Sequence, residues 1–291
     1  MKIMNSNFMI AGLMFLSINL SAQQTSTKLT DYVNPFIGTV AVDCSSLSGS
    51  NFPGATVPFG FVQLSPDTKD GFDGESCSGY NYKDKTVVGF SHTHLSGTGV
   101  ADLFDVLLMP ATGDMKIGKD KASNNITGYI SKIDHQKESA KPGYYQVNLL
   151  DYNINAELTA TEHAGFHRYT FPQSSQSHIL IDMNHSSAVD IELNVRITSA
   201  QIKIINNHTI EGYRSITGWT DGCRRVYFRA EFSRPIDSND LYNSIWKTDN
   251  HDYVNGSAVK ALFNFNTKAN ETILVKVGLS ATSIENARLN L

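Results

Sequence analysis

The chain has 291 residues, with 24 Lys and Arg against 28 Asp and Glu and a formal net charge of −4. That balance excludes an ordinary nucleic-acid binder, which needs a surplus of cations to displace condensed counterions. Aromatic residues make up 10% of the sequence, enough to fill a large core and to leave rings for stacking on the apolar C–H faces of sugars.

Met1-Lys2 places a positive charge ahead of the apolar run Phe8 to Leu20, and Ser21-Ala22-Gln23 supplies small residues for cleavage. Residues 1–22 therefore read as a secretory signal peptide, whose apolar part is too short to span a bilayer comfortably. Nothing later in the sequence is long and apolar enough for a membrane-spanning helix. The chain is expected to be exported, to the periplasm or beyond. Residues 23–30 form a polar leader. From 31 to 113 glycines, prolines, serines and aspartates separate short apolar pieces, which predicts long loops with short strands.

Beyond residue 126 the pattern becomes period two. Tyr145, Val147 and Leu149 alternate with polar residues, and Gly165 to Phe171 ends at Pro172. The run His178 to Met183 follows. Ile202 and Ile204 lead through Asn206-Asn207-His208 into Thr209-Ile210-Glu211-Gly212-Tyr213, a predicted hairpin. Val226, Phe228, Ala230 and Phe232 alternate, then Val259, Leu262 and Phe263, then Ile273, Val275 and Val277. Short alternating strands at such intervals, with no strand–helix–strand rhythm, predict an all-β chain folded as a large antiparallel β-sandwich over residues 31–280. Thr282-Ser283-Ile284-Glu285 fits a capping box with Thr282 as the N-cap, so 281–291 reads as the start of a helix leading out of the sandwich.

Four clusters could carry chemistry. In Gly89-Phe90-Ser91-His92-Thr93-His94-Leu95-Ser96-Gly97 two histidines stand two apart, on one face if the segment is a strand. Such a pair could ligate a metal, hydrogen-bond sugar hydroxyls, or serve only the structure; no third ligand in register supports zinc. Ser65-Pro66-Asp67-Thr68-Lys69-Asp70-Gly71-Phe72-Asp73-Gly74 has the acids and glycines of a calcium loop. The twelfth position counted from Asp67 is Ser78, where an EF-hand requires glutamate, so a turn-rich loop is preferred. Cys77-Ser78-Gly79-Tyr80-Asn81-Tyr82 combines a glycine that allows close backbone approach with two phenols. Gly218-Trp219-Thr220-Asp221-Gly222 puts an indole in a glycine-flanked loop, as a sugar platform or an edge plug. Cys44, Cys77 and Cys223 leave at least one thiol outside any intramolecular disulfide, and their spacing selects no pair. Many carboxylates are available, but spacing picks out no acid–base pair for glycoside hydrolysis.

The series Asp31-Tyr32-Val33-Asn34-Pro35-Phe36-Ile37-Gly38-Thr39, Phe52-Pro53-Gly54-Ala55-Thr56-Val57-Pro58-Phe59-Gly60, Gln63 to Thr68, Cys77-Ser78-Gly79-Tyr80, Gly89 to Gly99, Val226 to Ser233 and Glu285 to Leu291 resembles glycoside hydrolase family 92 across residues 31–291. The resemblance implies an exported, exo-acting, inverting, calcium-dependent α-mannosidase that trims N-glycans or mannan. It also implies an N-terminal supersandwich-like domain packed on a C-terminal (α/α)6 barrel, with the active site at their interface. The general acid, the general base and most calcium contacts of such an enzyme belong to the barrel, which this chain does not contain. The resemblance therefore assigns no catalytic residue and no metal ligand here and predicts inactivity in isolation. A free-standing carbohydrate-binding module is the alternative. Relatives carry a Trp-Asp-Gly-Cys-Ser-Gly-Tyr loop whose Trp meets substrate; here Phe72-Asp73-Gly74-Glu75-Ser76-Cys77-Ser78-Gly79-Tyr80 places Phe72 there only if Glu75-Ser76 is an insertion. The substrate-binding residues carried over are Phe72, Asp73, Cys77, Gly79, Tyr80, His92 and His94.

Overall fold

The structure is a computed structural model that describes residues 28–40, 50–68, 77–99, 101–117, 128–186, 196–219 and 222–291. The signal-peptide segment, Cys44, Phe72 and Asp73 lie outside the described residues. No helix among the described residues is long and apolar enough to cross a membrane.

Two antiparallel sheets face each other. One has eight strands, in the order Ala55–Thr56, Gln63–Asp67, Gly89–Ser91, Leu107–Thr112, Ser174–Asp182, Val259–Thr267, Ser238–Asn243, Trp246–Lys247. The other has nine, in the order Tyr253–Gly256, Arg196–Asn206, Thr209–Thr217, Cys223–Phe232, Glu271–Ser280, Ala164–Phe171, Ile154–Ala160, Tyr144–Leu149, Glu138–Lys141. The all-β sandwich expected from the alternation is what forms. Each alternating segment named above after residue 126 falls in a strand, because successive side chains leave a strand on opposite faces and only one face meets the opposing sheet.

The inner face of the nine-stranded sheet is built from in-phase rows. Tyr145, Val147 and Leu149 lie beside Leu158, Ala156 and Ile154. Ile273, Val275 and Val277 lie beside Tyr169, His167 and Gly165. Phe228, Ala230 and Phe232 lie beside Leu279, Val277 and Val275. Each fully buried large side chain contributes about 1.5–3 kcal/mol through removal from water, and the two sheets share one continuous core. Two polar residues interrupt this row of inward positions, His167 and Arg214, both with no exposed surface. Both face the segment that joins Gly89–Ser91 to Leu107–Thr112.

The C-terminal helix spans Ile284–Leu289 and lies against the strands Cys223–Phe232 and Glu271–Ser280. Its N-cap is Ser283, whose hydroxyl accepts from the Asn286 amide at 3.1 Å. The capping box on Thr282 and Glu285 is thus corrected by one residue. The Thr282 hydroxyl is already engaged by the side chains of Ser280 and Asn286. Arg288 grips Glu211 on the sheet with two hydrogen bonds of 2.8 Å, and Arg229 adds a third at 2.6 Å. The hydrogen bond from Arg288 does most to hold the Glu211 carboxyl below its ordinary range.

Candidate functional site

The segment 92–106 folds back on itself at one end of the sandwich, with His94 bridging Leu103. The Phe104 amide donates to the Thr93 carbonyl and the His92 amide to the Asp105 carbonyl. Leu103, Phe104 and Val106 all have left-handed backbone, with φ of 81°, 53° and 56°. Such conformations cost about 1–3 kcal/mol each for residues with a side chain and persist where surroundings over-determine them.

The surroundings here are two arginines. Arg214 donates to the carbonyls of Phe104 at 2.6 Å and Leu103 at 3.3 Å, and Arg224 donates to Leu103 as well, at 3.3 Å. Asp105 holds both: it pairs with Arg224 at 2.6 Å and with the Nε of Arg214 at 3.5 Å, and accepts from Thr93 at 2.7 Å. Burial brings the Arg214 guanidinium down to about 10, against the opposing pull of Asp105, so it stays charged at neutral pH. Asp102 accepts from the Leu103 amide at 2.6 Å and the Trp219 amide at 3.0 Å. Arg214, Trp219 and Arg224, distant in sequence, thus tie down the 101–106 segment.

Inside this end lies Asp67, at the close of its strand. His94 Nε2 donates to one carboxylate oxygen at 2.9 Å, and His185 Nε2 contacts the other at 3.0 Å. His94 Nδ1 donates to the Gln63 carbonyl at 2.6 Å. Burial would raise the Asp67 carboxyl, but the charge on His94 and the hydrogen bonds from both imidazoles outweigh it and hold it at about 2. Phe52 and Phe104 flank the His94 ring. Gly79, at φ +91°, passes directly over the pair: a Cβ there would lie 2.2 Å from Asp67 Oδ1. This position needs glycine for both its backbone and its space.

His92 points elsewhere. Its Nδ1 donates to the Val106 carbonyl at 2.6 Å, and its Nε2 faces His167 Nε2 at 3.0 Å. His167 Nδ1 faces the Tyr169 hydroxyl at 2.7 Å. One proton assignment satisfies all four groups: His92 carries its hydrogen on Nδ1, His167 carries its own on Nε2 and donates to His92, and Tyr169 donates to His167. Burial pushes the His92 imidazole down to about 4 and the His167 imidazole well below its ordinary range.

The strand ends at Ser91, so His92 and His94 do not share a ligand: one serves the core and the other Asp67. Tyr80 is also inside, its hydroxyl donating to Glu138 at 2.9 Å. Glu138 also accepts from Tyr145 and contacts His135, each at 2.5 Å. Cys77 is buried with Ala101 and Phe104, its Sγ 3.4 Å from the Ser50 hydroxyl. Ser78 donates to the Asn51 carbonyl at 2.7 Å and the Gly97 amide to the Ser50 carbonyl at 2.6 Å, so the loops 50–52, 77–81 and 92–106 form one body. Sequence reasoning did not find His167, His185, Asp102, Asp105, Arg214 or Arg224. The available signal was phase: His167 keeps step with Tyr169 and Phe171, and Arg214 with Ile210 and Ile216, all inward positions.

Chemically, the acids of this end are turned toward neighbouring side chains and amides of the same domain. The buried acids Asp67, Asp102, Asp105 and Asp182 are each committed to imidazoles, arginines, a lysine or amides. A shallow groove of about 500 Å³ near the 160–164 turn is lined by one carboxylate, Glu162, with His163 beside it. A second groove, lined by Lys137, Asn148, Asn153, Asn155 and Asn270 among others, has no carboxylate, so neither groove holds the two opposed acids that inverting or retaining hydrolysis requires. Nor do three or more His, Cys, Asp or Glu side chains converge as metal ligands among the described residues. The residues seen here do not fit a calcium ion, since the Asp67 oxygens are turned to two imidazoles.

A sequence profile described as the glycosyl hydrolase family 92 N-terminal domain matches residues 32–280. A family GH92 α-mannosidase from Bacteroides thetaiotaomicron is 39% identical with a TM-score of 0.81, the match covering 91% of this chain and 35% of that one. The inverting GH92 mannosidase structure from Bacteroides thetaiotaomicron VPI-5482, 24% identical with a TM-score of 0.72 over 91% of this chain and 33% of its own, agrees in fold. An uncharacterized secreted glycosidase of Arthroderma benhamiae (strain ATCC MYA-4681 / CBS 112371) is 34% identical over 156 residues, which are 53% of this chain and 19% of that protein. The chain therefore spans about a third of the length of the mannosidases it superposes on and a fifth of the secreted glycosidase. With a matching profile over most of its length and a shared sandwich, the chain belongs to glycosyl hydrolase family 92, of which it carries the N-terminal domain.

Proposed function

We propose that this domain is exported and shapes one wall of the mannose pocket of an exo-acting α-mannosidase, while the proton-transfer carboxylates and the calcium site are supplied by a C-terminal (α/α)6 barrel. The observation that carries the reading is the loop end built around Asp67, whose two carboxylate oxygens are each taken up by an imidazole and so are not presented as an acid or base. A wall of this kind orients a sugar but does not activate water. Two relatives add support. The Bacteroides thetaiotaomicron mannosidase was solved in complex with mannoimidazole, and the Arthroderma protein is described as secreted.

Within the wall, His92, His94 and Tyr80 act as buried supports. Gly79 and Cys77 set the backbone over Asp67, and Phe72 and Asp73 are the direct sugar contacts of the proposal. The partner molecule is a mannose-containing glycan, from N-glycans or mannan. The test is an assay of the purified chain on an aryl α-mannoside with millimolar calcium, beside the same chain joined to a family 92 barrel. Turnover only in the joined protein is expected; turnover by the chain alone would overturn the proposal.

A further inference from the structure

We propose that Trp219 is a sugar-stacking residue of this same end of the domain, taking the C–H face of a pyranose ring of a mannose-containing glycan. This rests on the pocket reading above and adds to it a named contact. Three observations carry it.

First, the indole is half exposed, at 49%, whereas Phe104 is buried and Phe52 lies on His94. Its Nε1 makes no hydrogen bond among the described residues, so a flat apolar face and an unspent donor stand together. That combination suits a sugar, which offers C–H groups on one face and hydroxyls at its rim.

Second, the residue is held by buried charge. Its amide donates at 3.0 Å to Asp102, which has no exposed surface and is itself fixed by the Leu103 amide at 2.6 Å and by Arg224 at 3.4 Å. Gly218 lets the loop come this close, since a Cβ there would stand 2.3 Å from the Asp102 carboxylate. A side chain carried on an anchored backbone has less freedom to lose when a ligand arrives, which favours affinity. Asp102 is therefore a positioning residue for the backbone that carries the indole.

Third, the location is that of the proposed pocket. Leu103 bridges His94, the next residue back is Asp102, and Trp219 hangs from the Asp102 carboxylate. The indole therefore stands at the end of the sandwich where Gly79 and the Asp67–His94 pair lie.

The chain has two tryptophans, Trp219 and Trp246. In a Trp246→Phe variant, emission reports Trp219 alone. Methyl α-mannoside, α-mannobiose and yeast mannan are titrated into this variant, and calorimetry with mannan is run on the unsubstituted chain, Trp219→Ala and Trp219→Phe. The expected result is a saturable change in Trp219 emission, binding weakened about tenfold or more by Trp219→Ala, and an intermediate loss with Trp219→Phe, which keeps a ring. If the unsubstituted chain binds and Trp219→Ala, folded by circular dichroism, binds equally well, the Trp219 assignment is overturned while the pocket reading stands. No binding by the unsubstituted chain and flat emission at 100 mM mannoside would overturn both.

Discussion

Acid should loosen this domain well before its carboxylates titrate, because His92 and His167 are buried in a mutually satisfied neutral pair. A proton added to His92 Nε2 would meet the N–H of His167 head on across 3.0 Å. The folded-state value of His92 is depressed from 6.5 to about 4. Above pH 6.5 neither state binds the proton and stability is level. Between 6.5 and 4 the unfolded chain takes up a proton that the folded chain refuses, so stability falls by about 1.4 kcal/mol per pH unit, or about 3 kcal/mol in all from His92. His167, also depressed, adds a loss of the same sign in its own window below 6.5. Asp67 enters later: its carboxyl is lowered from 3.8 to about 2, so its contribution is present above 3.8 and is lost as pH falls toward 2. Urea unfolding at pH 7.5, 6.5, 5.5 and 4.5 gives the slope. Imidazole carbon shifts in histidine-labelled protein give the individual titrations. A level stability down to pH 4.5, or His92 titrating near 6.5, would refute the assignment of protons along Val106, His92, His167 and Tyr169.

Two further outcomes follow from single positions. Gly79→Ala puts a methyl group against Asp67 at a left-handed φ; a loss of about 2 kcal/mol or more is expected, seen as a drop in melting temperature of about 4 °C or more. Arg288→Ala should release the C-terminal helix from Glu211 without unfolding the sandwich. Hydrogen exchange would then show residues 284–290 unprotected and the strand Cys223–Phe232 unchanged; protection retained in the helix would contradict this.

The sandwich was legible because its strands advertise burial locally. Val226, Phe228, Ala230 and Phe232 need only their own spacing to declare an inward face, and the structure buries all four. The loop end was legible as a region, through its glycines and histidines, but not as an arrangement. His92 meets His167 across 75 positions, Asp67 meets His185 across 118, and Phe104 meets Arg214 across 110. No local pattern encodes such pairings. The same holds for His92 and His94: strand periodicity places them on one face, but the strand stops at Ser91 and the backbone turns between them. The helix cap failed for a smaller reason, since Thr282 and Ser283 are both able caps and side chains outside the helix decide between them.

The left-handed run at Leu103, Phe104 and Val106 bears on the order in which the polypeptide can finish folding. Its fasteners, Arg214 and Arg224, are made more than a hundred positions after the backbone they secure. A nascent chain that has reached residue 200 can pair its early strands yet has nothing with which to lock this turn. This end of the sandwich is thus completed by the arrival of distant strands, and partial synthesis yields a sheet whose turn is left unfastened.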